Sequence, residues 1–295
     1  MAKRKNQHDD SAELNLRTYQ SYLDRLTEIC LNLFKWHNLP DTVDKRFMEL
    51  TLFQDGYVLY FNDEIMGNLT LQCALGGNED IYRNPIQRKA YAPNGYNNTL
   101  DNSNSVIIYN NYLRTPSFNT VELFARRLYE CERAEDVNIK NQKTPKMILS
   151  TEQQRLTMTN LMQQYSGNIP FIYGDKNLDI EDIQAIDITA PFVADKINIH
   201  KHNIFNEFLT WCGVENANGD KRERLVASEV GANSGAVEMG RNTMLSARQE
   251  ACEKINKMFS TNISVEFNSS LATMLNSPSI FISNMMDNLG GVKNE

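Results

Sequence analysis

Apolar and polar positions alternate along this chain with two different periods. Tyr19, Tyr22, Leu23, Leu26, Ile29, Cys30, Leu33 and Phe34 recur at steps of three and four residues, the single stripe of an amphipathic helix. The stripe predicts a helix from Tyr19 to about His37, with Pro40 close behind to stop it. Residues 1–12 carry no such period and read as a polar arm. Val43 to Leu52 predicts a second, short helix, ended by Asp55-Gly56. The period then shortens to two. Tyr57-Val58-Leu59-Tyr60-Phe61, Leu69-Thr70-Leu71-Gln72-Cys73 and Ser105-Val106-Ile107-Ile108-Tyr109 are strand-like runs. Between them, Gly76-Gly77-Asn78, Pro93-Asn94-Gly95 and the Asn-rich stretch Asn97 to Asn104 read as turns. Residues 56–112 are thus predicted to form a small β-rich module inside a helical chain.

Asn119 to Gln142 returns to the helical period. Asn119 is a candidate N-cap with Glu122 three residues on, a capping-box arrangement, and Glu122/Arg126, Arg126/Glu130 and Glu130/Arg133 sit at helical pair spacing. Its apolar residues thin out toward the C-terminal half, so this helix suits a wet surface or a contact with other subunits better than an ordinary core. Met147–Leu149, Phe171–Tyr173 and Ile183–Ile188 are strand candidates, with a helix from the Ser150/Thr151 cap to about Tyr165 between them. Pro191 reads as the opening residue of a second long helix ending at Cys212-Gly213. Residues 214–242 read as a long polar loop, basic at Lys221-Arg222-Glu223-Arg224 and punctuated by Gly231, Gly235 and Gly240. Thr243–Phe259 is helical, Ile263–Phe267 a strand, and the tail beyond Asn268 is only partly patterned.

Composition narrows the function. The 295 residues carry 30 basic and 37 acidic side chains, a net charge of −7, which excludes a globally basic nucleic-acid coat and leaves only local basic patches for such contacts. No apolar run reaches membrane-spanning length, and Lys3, Arg4 and Lys5 have no apolar segment behind them, so the N-terminus is not a secretory signal. The cysteines Cys30, Cys73, Cys131, Cys212 and Cys252 are widely spaced and odd in number. They suit small buried thiols in a reducing cytoplasm, not a disulfide framework or a zinc ribbon. His200 and His202 are two apart, so on a helix they do not share a face, and no metal site is expected. The 35 asparagines point to no chemistry by themselves.

The motifs of catalysis are missing. Gly235 and Gly240 are not followed by the Lys-Ser or Lys-Thr of a phosphate loop, and no nucleophile elbow, zinc-protease motif or calcium loop occurs. The Asp179/Glu181/Asp182 cluster reads as a solvated turn. These absences lean toward an assembly protein with no catalytic residues and no cofactor.

Seven segments then stand in a familiar order. They are Trp36-His37-Asn38-Leu39-Pro40, Phe53-Gln54-Asp55-Gly56-Tyr57-Val58, Val106-Ile107-Ile108-Tyr109-Asn110-Asn111, Gln142-Lys143-Thr144-Pro145, Ala190-Pro191-Phe192-Val193-Ala194-Asp195-Lys196, Asn216-Ala217-Asn218 with Lys221-Arg222-Glu223-Arg224, and Arg248-Gln249-Glu250-Ala251-Cys252-Glu253-Lys254-Ile255-Asn256. In this order and spacing the chain resembles the upper collar, or head–tail connector (portal), proteins of small short-tailed phages, from its basic arm to about Phe267.

The resemblance implies an α+β portal fold with long stem helices, an inserted β-rich wing and a C-terminal crown. Such subunits assemble as a homo-oligomeric ring, usually of about twelve, at one capsid vertex. On that basis residues 1–18 are the basic arm, 19–118 the wing (with 56–112 as its β-rich part) and 119–215 the stem helices with an α/β segment. Residues 216–233 are the channel loop, 234–267 a wing or crown helix and strand, and 268–295 the crown or tail. Double-stranded DNA is the implied occupant of the channel. Lys196, Lys221, Arg222 and Arg224 are the implied basic channel positions, and Asn216, Asn218, Ser228 and Asn233 the channel loop. Lys3, Arg4 and Lys5 are the implied contact to nucleic acid or motor. Implied partners are the major capsid protein, lower collar and tail proteins, the packaging ATPase and a scaffolding protein, in a virion assembled in the host cytoplasm. About twelve copies at −7 each carry about −84, so DNA could slide past an acidic wall and be held only at a few basic rings. Two features depart from the pattern. Asp187 stands where a further channel lysine is expected, and the tail carries Pro278 with Ile280, Phe281, Ile282, Met285 and Met286 in place of a charged helix. A tail or collar adaptor with little DNA contact, or another packaging-machine subunit, remains the alternative.

Overall fold

Five strands close on themselves to make the clearest module of the structure. The structure is a computed structural model describing residues 7–143, 146–149, 184–187, 191–215 and 227–270. Strands β2 (Tyr57–Asp63), β3 (Gly67–Glu79), β4 (Pro85–Tyr91), β5 (Asn97–Leu100) and β6 (Ser105–Tyr109) form one antiparallel sheet in the order β5-β4-β3-β2-β6. Its two terminal strands, β5 and β6, are joined only by the Asp101–Asn104 turn, so the sheet curls until its edges approach. Arg88 of β4 reaches across the gap to the Ser105 carbonyl and hydroxyl on β6. Inside the curl, Leu59, Phe61, Cys73, Ala90, Leu100 and Ile107, drawn from all five strands, share one core. The alternate residues of β2, Val58 and Tyr60, are equally buried on the outer face, where Tyr60 packs on Phe259. Burial on both faces explains why β2 is an unbroken apolar run. This sheet lies within the predicted 56–112 span. The sequence reading of Asn97–Asn104 as a turn is corrected in part, because Asn97–Leu100 is a strand paired with β4 and only the remainder turns.

The chain divides into two compact units, residues 1–129 with 201–295, and residues 130–200. In the first, helix α1 (Gln7–Leu31) begins twelve residues before the predicted start at Tyr19, so the polar arm is already helical from Gln7. It also ends earlier than expected. Phe34–His37 is strand β1, paired antiparallel with β9 (Ser264–Phe267), with Phe34 opposite Phe267 and Trp36 opposite Val265. A local stripe that fits one more helical turn has yielded to a distant partner that pairs the same backbone. Helix α2 (Lys45–Asp55) follows, capped by the Asp44 carboxylate accepting from the Phe47 N–H.

Helix α3 (Phe118–Lys143) starts one residue earlier than read, and its first carbonyl acceptor is Ser117, which receives the Thr120 and Val121 amides. Asn119 therefore sits in the first turn and is not the cap. Glu122 is engaged by Arg126 and by the Tyr19 hydroxyl. Helix α4 (Ala194–Trp211) and helix α5 (Ala227–Phe259) complete the helical set among the described residues. Pro191 is not α4's first residue, since the first helical bond runs from the Ile197 N–H to the Val193 carbonyl. In the second unit, β7 (Lys146–Leu149) and β8 (Gln184–Asp187) pair antiparallel, with Asp187 opposite Lys146. The predicted Thr151–Tyr165 helix and the Phe171–Tyr173 strand lie outside the described residues, as does the tail beyond residue 270.

The first unit is tied together by one buried ion pair. Arg248 of α5 and Glu49 of α2 are each only 3% exposed, and they meet through two parallel bonds, Nη2 to Oε2 at 2.8 Å and Nε to Oε1 at 3.2 Å. The remaining donors of Arg248 go to the Asn110 carbonyl (2.8 Å), the Asn110 side-chain oxygen (3.1 Å) and the Met244 carbonyl (3.1 Å). All five guanidinium donors are thereby used. Trp36 Nε1 donates to Glu49 Oε1 at 2.7 Å, and the Phe34 ring lies 4.2 Å from the guanidinium carbon of Arg248. Elements far apart in sequence (β1, α2, the residue after β6, and α5) converge on two side chains.

Two predictions follow from this packing. Arg248→Met and Glu49→Leu each strand a buried charge and should each lower the unfolding free energy by about 3–5 kcal/mol, with the double variant losing clearly less than the sum, measured by urea denaturation. Burial also pushes the Cys73 thiol from 9.0 up to about 12, Cys252 from 9.0 to about 11 and the Tyr60 phenol from 10.0 to about 12. These groups stay protonated when folded but ionise when unfolded, so stability should be intact below about pH 9 and fall as pH rises toward about 12. Urea midpoints measured across that window should decline, and Cys73→Ala should flatten the decline.

Candidate functional site

Of the candidate channel residues, Lys196, Ser228 and Asn233 lie on the two helices that flank the segment 216–226. Lys196 occupies the first turn of α4 and is exposed, beside Asp195, which sits favourably at the positive end of the helix. Asn138 of α3 holds the start of that helix. Its amide donates to the Pro191 carbonyl at 2.9 Å and its oxygen accepts the Val193 N–H at 3.1 Å, with the side chain 7% exposed. A buried amide satisfied at both ends fixes Pro191 and Val193 in the approach to α4, and with them the rotation at which Lys196 leaves the helix.

At its other end, α4 stops in a glycine turn. The Val214 N–H bonds the Leu209 carbonyl and the Gly213 N–H bonds the Thr210 carbonyl, the paired bonds of a Schellman termination, with Gly213 at φ 75°. A side chain at Gly213 would also meet the Arg241 backbone at 2.5 Å, and one at Gly240 would meet the Trp211 and Thr210 carbonyl oxygens at 2.7 and 2.8 Å. The end of α4 and the middle of α5 therefore touch backbone to backbone. Arg241 seals the contact by donating to the Gly213 carbonyl from Nε and Nη2, while its guanidinium lies over the Phe267 ring at 4.3 Å. The buried stripe Ile204, Phe205, Phe208, Leu209 and Cys212 holds this half of α4 in the first unit, where Phe208 and Trp211 pack on Phe124 of α3. Cys212 lies with its sulfur 4.0 Å from that of Cys30, and burial raises its pKa well above the ordinary thiol value.

The structure corrects the extent of the predicted loop. Residues 227–242, read as part of a polar loop, belong to α5, a 33-residue helix about 50 Å long. Ser228 and Asn233, assigned to the channel loop, are helical, as are Gly231, Gly235 and Gly240. The reading failed because glycines and polar residues dominate this stretch. The signal that would have found the helix is the repeat Val237, Met244, Ala251 at steps of seven, with Arg248 and Ile255 filling the same buried face. Gly240 is there because a side chain would push α4 away.

Asn216, Asn218, Lys221, Arg222 and Arg224 lie outside the described residues, as do Lys3, Arg4 and Lys5. Among the described residues, Lys196 is thus the basic candidate whose position is seen, and no group of three or more His, Cys, Asp or Glu is placed to hold a metal. No described helix is long and apolar enough to cross a membrane. The buried centre around Arg248 and Glu49, which charge patterning alone did not reveal, is architectural. Its acid and base neutralise one another.

A family model described as Phage Connector (GP10) matches residues 3–272. Among solved structures, the portal and tail of native bacteriophage P68 is similar, at 16% identity over 99% of this chain and 100% of that chain, with a TM-score of 0.49. An HK97 family phage portal protein from Corynebacterium diphtheriae is similar at 10% identity over 89% of this chain and 96% of that chain, with a TM-score of 0.45. The virion of a native gene transfer agent particle contains a chain similar at 9% identity, covering 93% of this chain and 86% of that one, with a TM-score of 0.45.

The α4–α5 contact makes a sharp prediction. Gly240→Ala must part the two backbones, and its melting temperature should fall by several degrees, corresponding to about 1–3 kcal/mol. Gly235→Ala, where an added carbon meets nothing within 4 Å, should be neutral or slightly stabilising in the same calorimetric scan.

Proposed function

This chain belongs to the Phage Connector family and is a portal protein of the phage head–tail connector. From that premise we propose that its copies, about twelve, close into a ring at one capsid vertex through which double-stranded DNA is packaged and ejected. The observation that carries the proposal is the family match across residues 3–272. The ring performs no catalysis of its own and needs no cofactor. It is a conduit and a docking platform in the virion, assembled in the host cytoplasm. Its neighbours are the major capsid protein, the lower collar and tail proteins, the packaging ATPase and the scaffolding protein.

In this reading Lys196 and the segment carrying Asn216, Asn218, Lys221, Arg222 and Arg224 face the bore. Lys3, Arg4 and Lys5 reach the nucleic acid or the motor. The charge of −7 per subunit supports a channel that repels phosphate in general, while a few cations per subunit attract it locally. A conduit needs both, since a uniformly basic bore would bind DNA and stop it. Asp187 in place of a further lysine lowers the number of attractive positions again.

Light scattering should give a mass of roughly 400 kDa for a ring of 33.8 kDa subunits, with a central hole in negative-stain images. A monomer at high concentration, or a closed particle without a hole, overturns the ring. Replacing Lys196, Lys221, Arg222 and Arg224 together by alanine should leave assembly intact and impair either DNA packaging or retention of the packaged genome. Normal packaging and retention in that variant would favour an adaptor that touches DNA little.

A further inference from the structure

Two of the five cysteines meet inside the first unit. Cys30 lies in the last turn of α1 and Cys212 is the residue immediately after α4, 182 positions along the chain, yet their sulfurs are 4.0 Å apart. Both side chains are buried, Cys30 at 8% exposure and Cys212 at 1%. Each sits where a helix ends. The Leu33 N–H bonds the Cys30 carbonyl as α1 finishes, and the Cys212 N–H bonds the Phe208 carbonyl just before the Gly213 turn. Arg25, earlier on α1, lies over the Phe205 ring of α4 at 5.5 Å, so the two helices pack on each other along this edge.

This separation is one that side-chain rotation can close. A disulfide needs about 2.05 Å between its sulfurs, about 2 Å less than the two thiols keep. A cysteine sulfur swings on a single rotatable bond, so a shift of about 1 Å from each side is enough. Helix ends also give more readily than helix interiors, and both residues stand at ends. Cys73, by contrast, is packed among Leu59, Phe61, Ala90, Leu100 and Ile107 in the core of the curled sheet.

We propose that Cys30 and Cys212 form an oxidation site that closes to a disulfide when the protein meets a peroxide. Cys30, the more exposed of the two, attacks one peroxide oxygen through its thiolate. The O–O bond breaks, the sulfur becomes a sulfenic acid, and the departing hydroxide takes up the thiol proton as water. The Cys212 sulfur then attacks the sulfenic sulfur. The S–O bond breaks, the S–S bond forms, and the second hydroxide leaves with the Cys212 proton as water. Two electrons pass from the thiol pair to the peroxide, and no other reactant is consumed.

Burial sets the pace. It holds the Cys212 thiol well above its ordinary pKa, so thiolate is scarce at neutral pH and the link forms slowly. The second step is helped by a partner sulfur already 4.0 Å away, which replaces a collision between molecules with a rotation. Once closed, the same burial keeps an outside thiolate from the bond, and the link persists. The link ties the end of α1 to the residue before Gly213, where Arg241 and Gly240 already hold α4 against α5. A bridge between residues 182 apart also removes freedom from the unfolded chain. The occasion for closure rests on the virion reading, in which the particle leaves the reducing cytoplasm where it was assembled. The chemistry does not, and its test needs no ring.

That test treats the full folded chain with a small molar excess of hydrogen peroxide. Thiols titrated after unfolding should fall from five to three. Non-reducing peptide mapping should find the peptides of Cys30 and Cys212 joined, and those of Cys73, Cys131 and Cys252 free. The oxidised chain should melt several degrees above the reduced chain. Cys30→Ala should abolish both the link and the rise in melting temperature, and Cys73→Ala should leave both in place. The mapping on the unsubstituted chain stands whether or not a variant folds. Five surviving thiols, a sulfinic acid at Cys30 beside a free Cys212, a link to any other cysteine, or a link that raises no melting temperature would each overturn the proposal. So would a link that forms only in concentrated urea. A chain that stays monomeric and still closes the link supports the proposal and counts against the ring alone.

Discussion

The buried pair between Arg248 and Glu49 is the constraint to which the rest of the first unit conforms. A charge pair that is 3% exposed on both sides survives only if every donor and acceptor is met. Here that requirement is satisfied by elements that could not otherwise find one another. The Trp36 indole must be present, so β1 must run past α2. Asn110 must present both its carbonyl and its side-chain oxygen, so the chain leaving β6 must turn at that residue, where its own amide bonds the Gly56 carbonyl and its side chain reaches Ser117. An apolar core tolerates small sub-residue shifts of its elements with modest loss. A guanidinium with five specified acceptors does not, and so the pair sets register as much as stability.

That register propagates along α5. Arg241 lies seven residues before Arg248, two helical turns away on the same face, and each stacks on one member of a cross-strand pair: Arg248 over Phe34 and Arg241 over Phe267, which face each other edge-on at 6.2 Å. The helix is thus strapped across the β1–β9 ribbon at two points. With Arg241 fixed, Gly240 has to meet the last carbonyls of α4, and only a residue without a side chain permits it. The anchor point immediately before the 216–226 segment is consequently set by a chain of contacts that starts in the core.

Much of this architecture was legible in the sequence, and the failures have physical causes. The amphipathic stripe of α1 and the continuous apolar run of β2 were readable because each reports its own burial. The helical start of α1 before Tyr19 was not, since none of residues 13–18 is buried. Strand β1 was missed because Phe34 fits both a helical stripe and an alternating strand, and only the distant Ser264–Phe267 decides between them. Strand β5 was missed because Asn97-Asn98-Thr99 has turn composition and is held by β4 and the short link to β6. The N-terminal half of α5 was hidden by the very glycine that its packing demands. Of the candidate site, the sequence placed Lys196 on a long helix correctly, but nothing in it announced Asn138, whose role exists only once α3 and the residues before α4 are brought together. The segments that carried the family resemblance include Trp36, Asn110 and Arg248, and the structure shows these three meeting in one buried network.

The same structure explains how an acidic chain can still have basic functions. Net charge counts every cation equally, but several described cations are already answered. Arg248 is matched by Glu49, Arg127 by Glu207 at 2.9 Å, Arg133 by Asp136 at 2.9 Å and Arg126 by Glu122 at 3.4 Å. Such pairs add little field beyond a few ångströms, so a partner approaching the surface does not feel them. What it feels is the exposed remainder, among it Lys45, Arg46, Arg83, Lys89, Lys196, Lys254 and Lys257, which form no ion pair among the described residues. Against a background of −7, those exposed positions are where a negatively charged partner meets uncompensated positive charge.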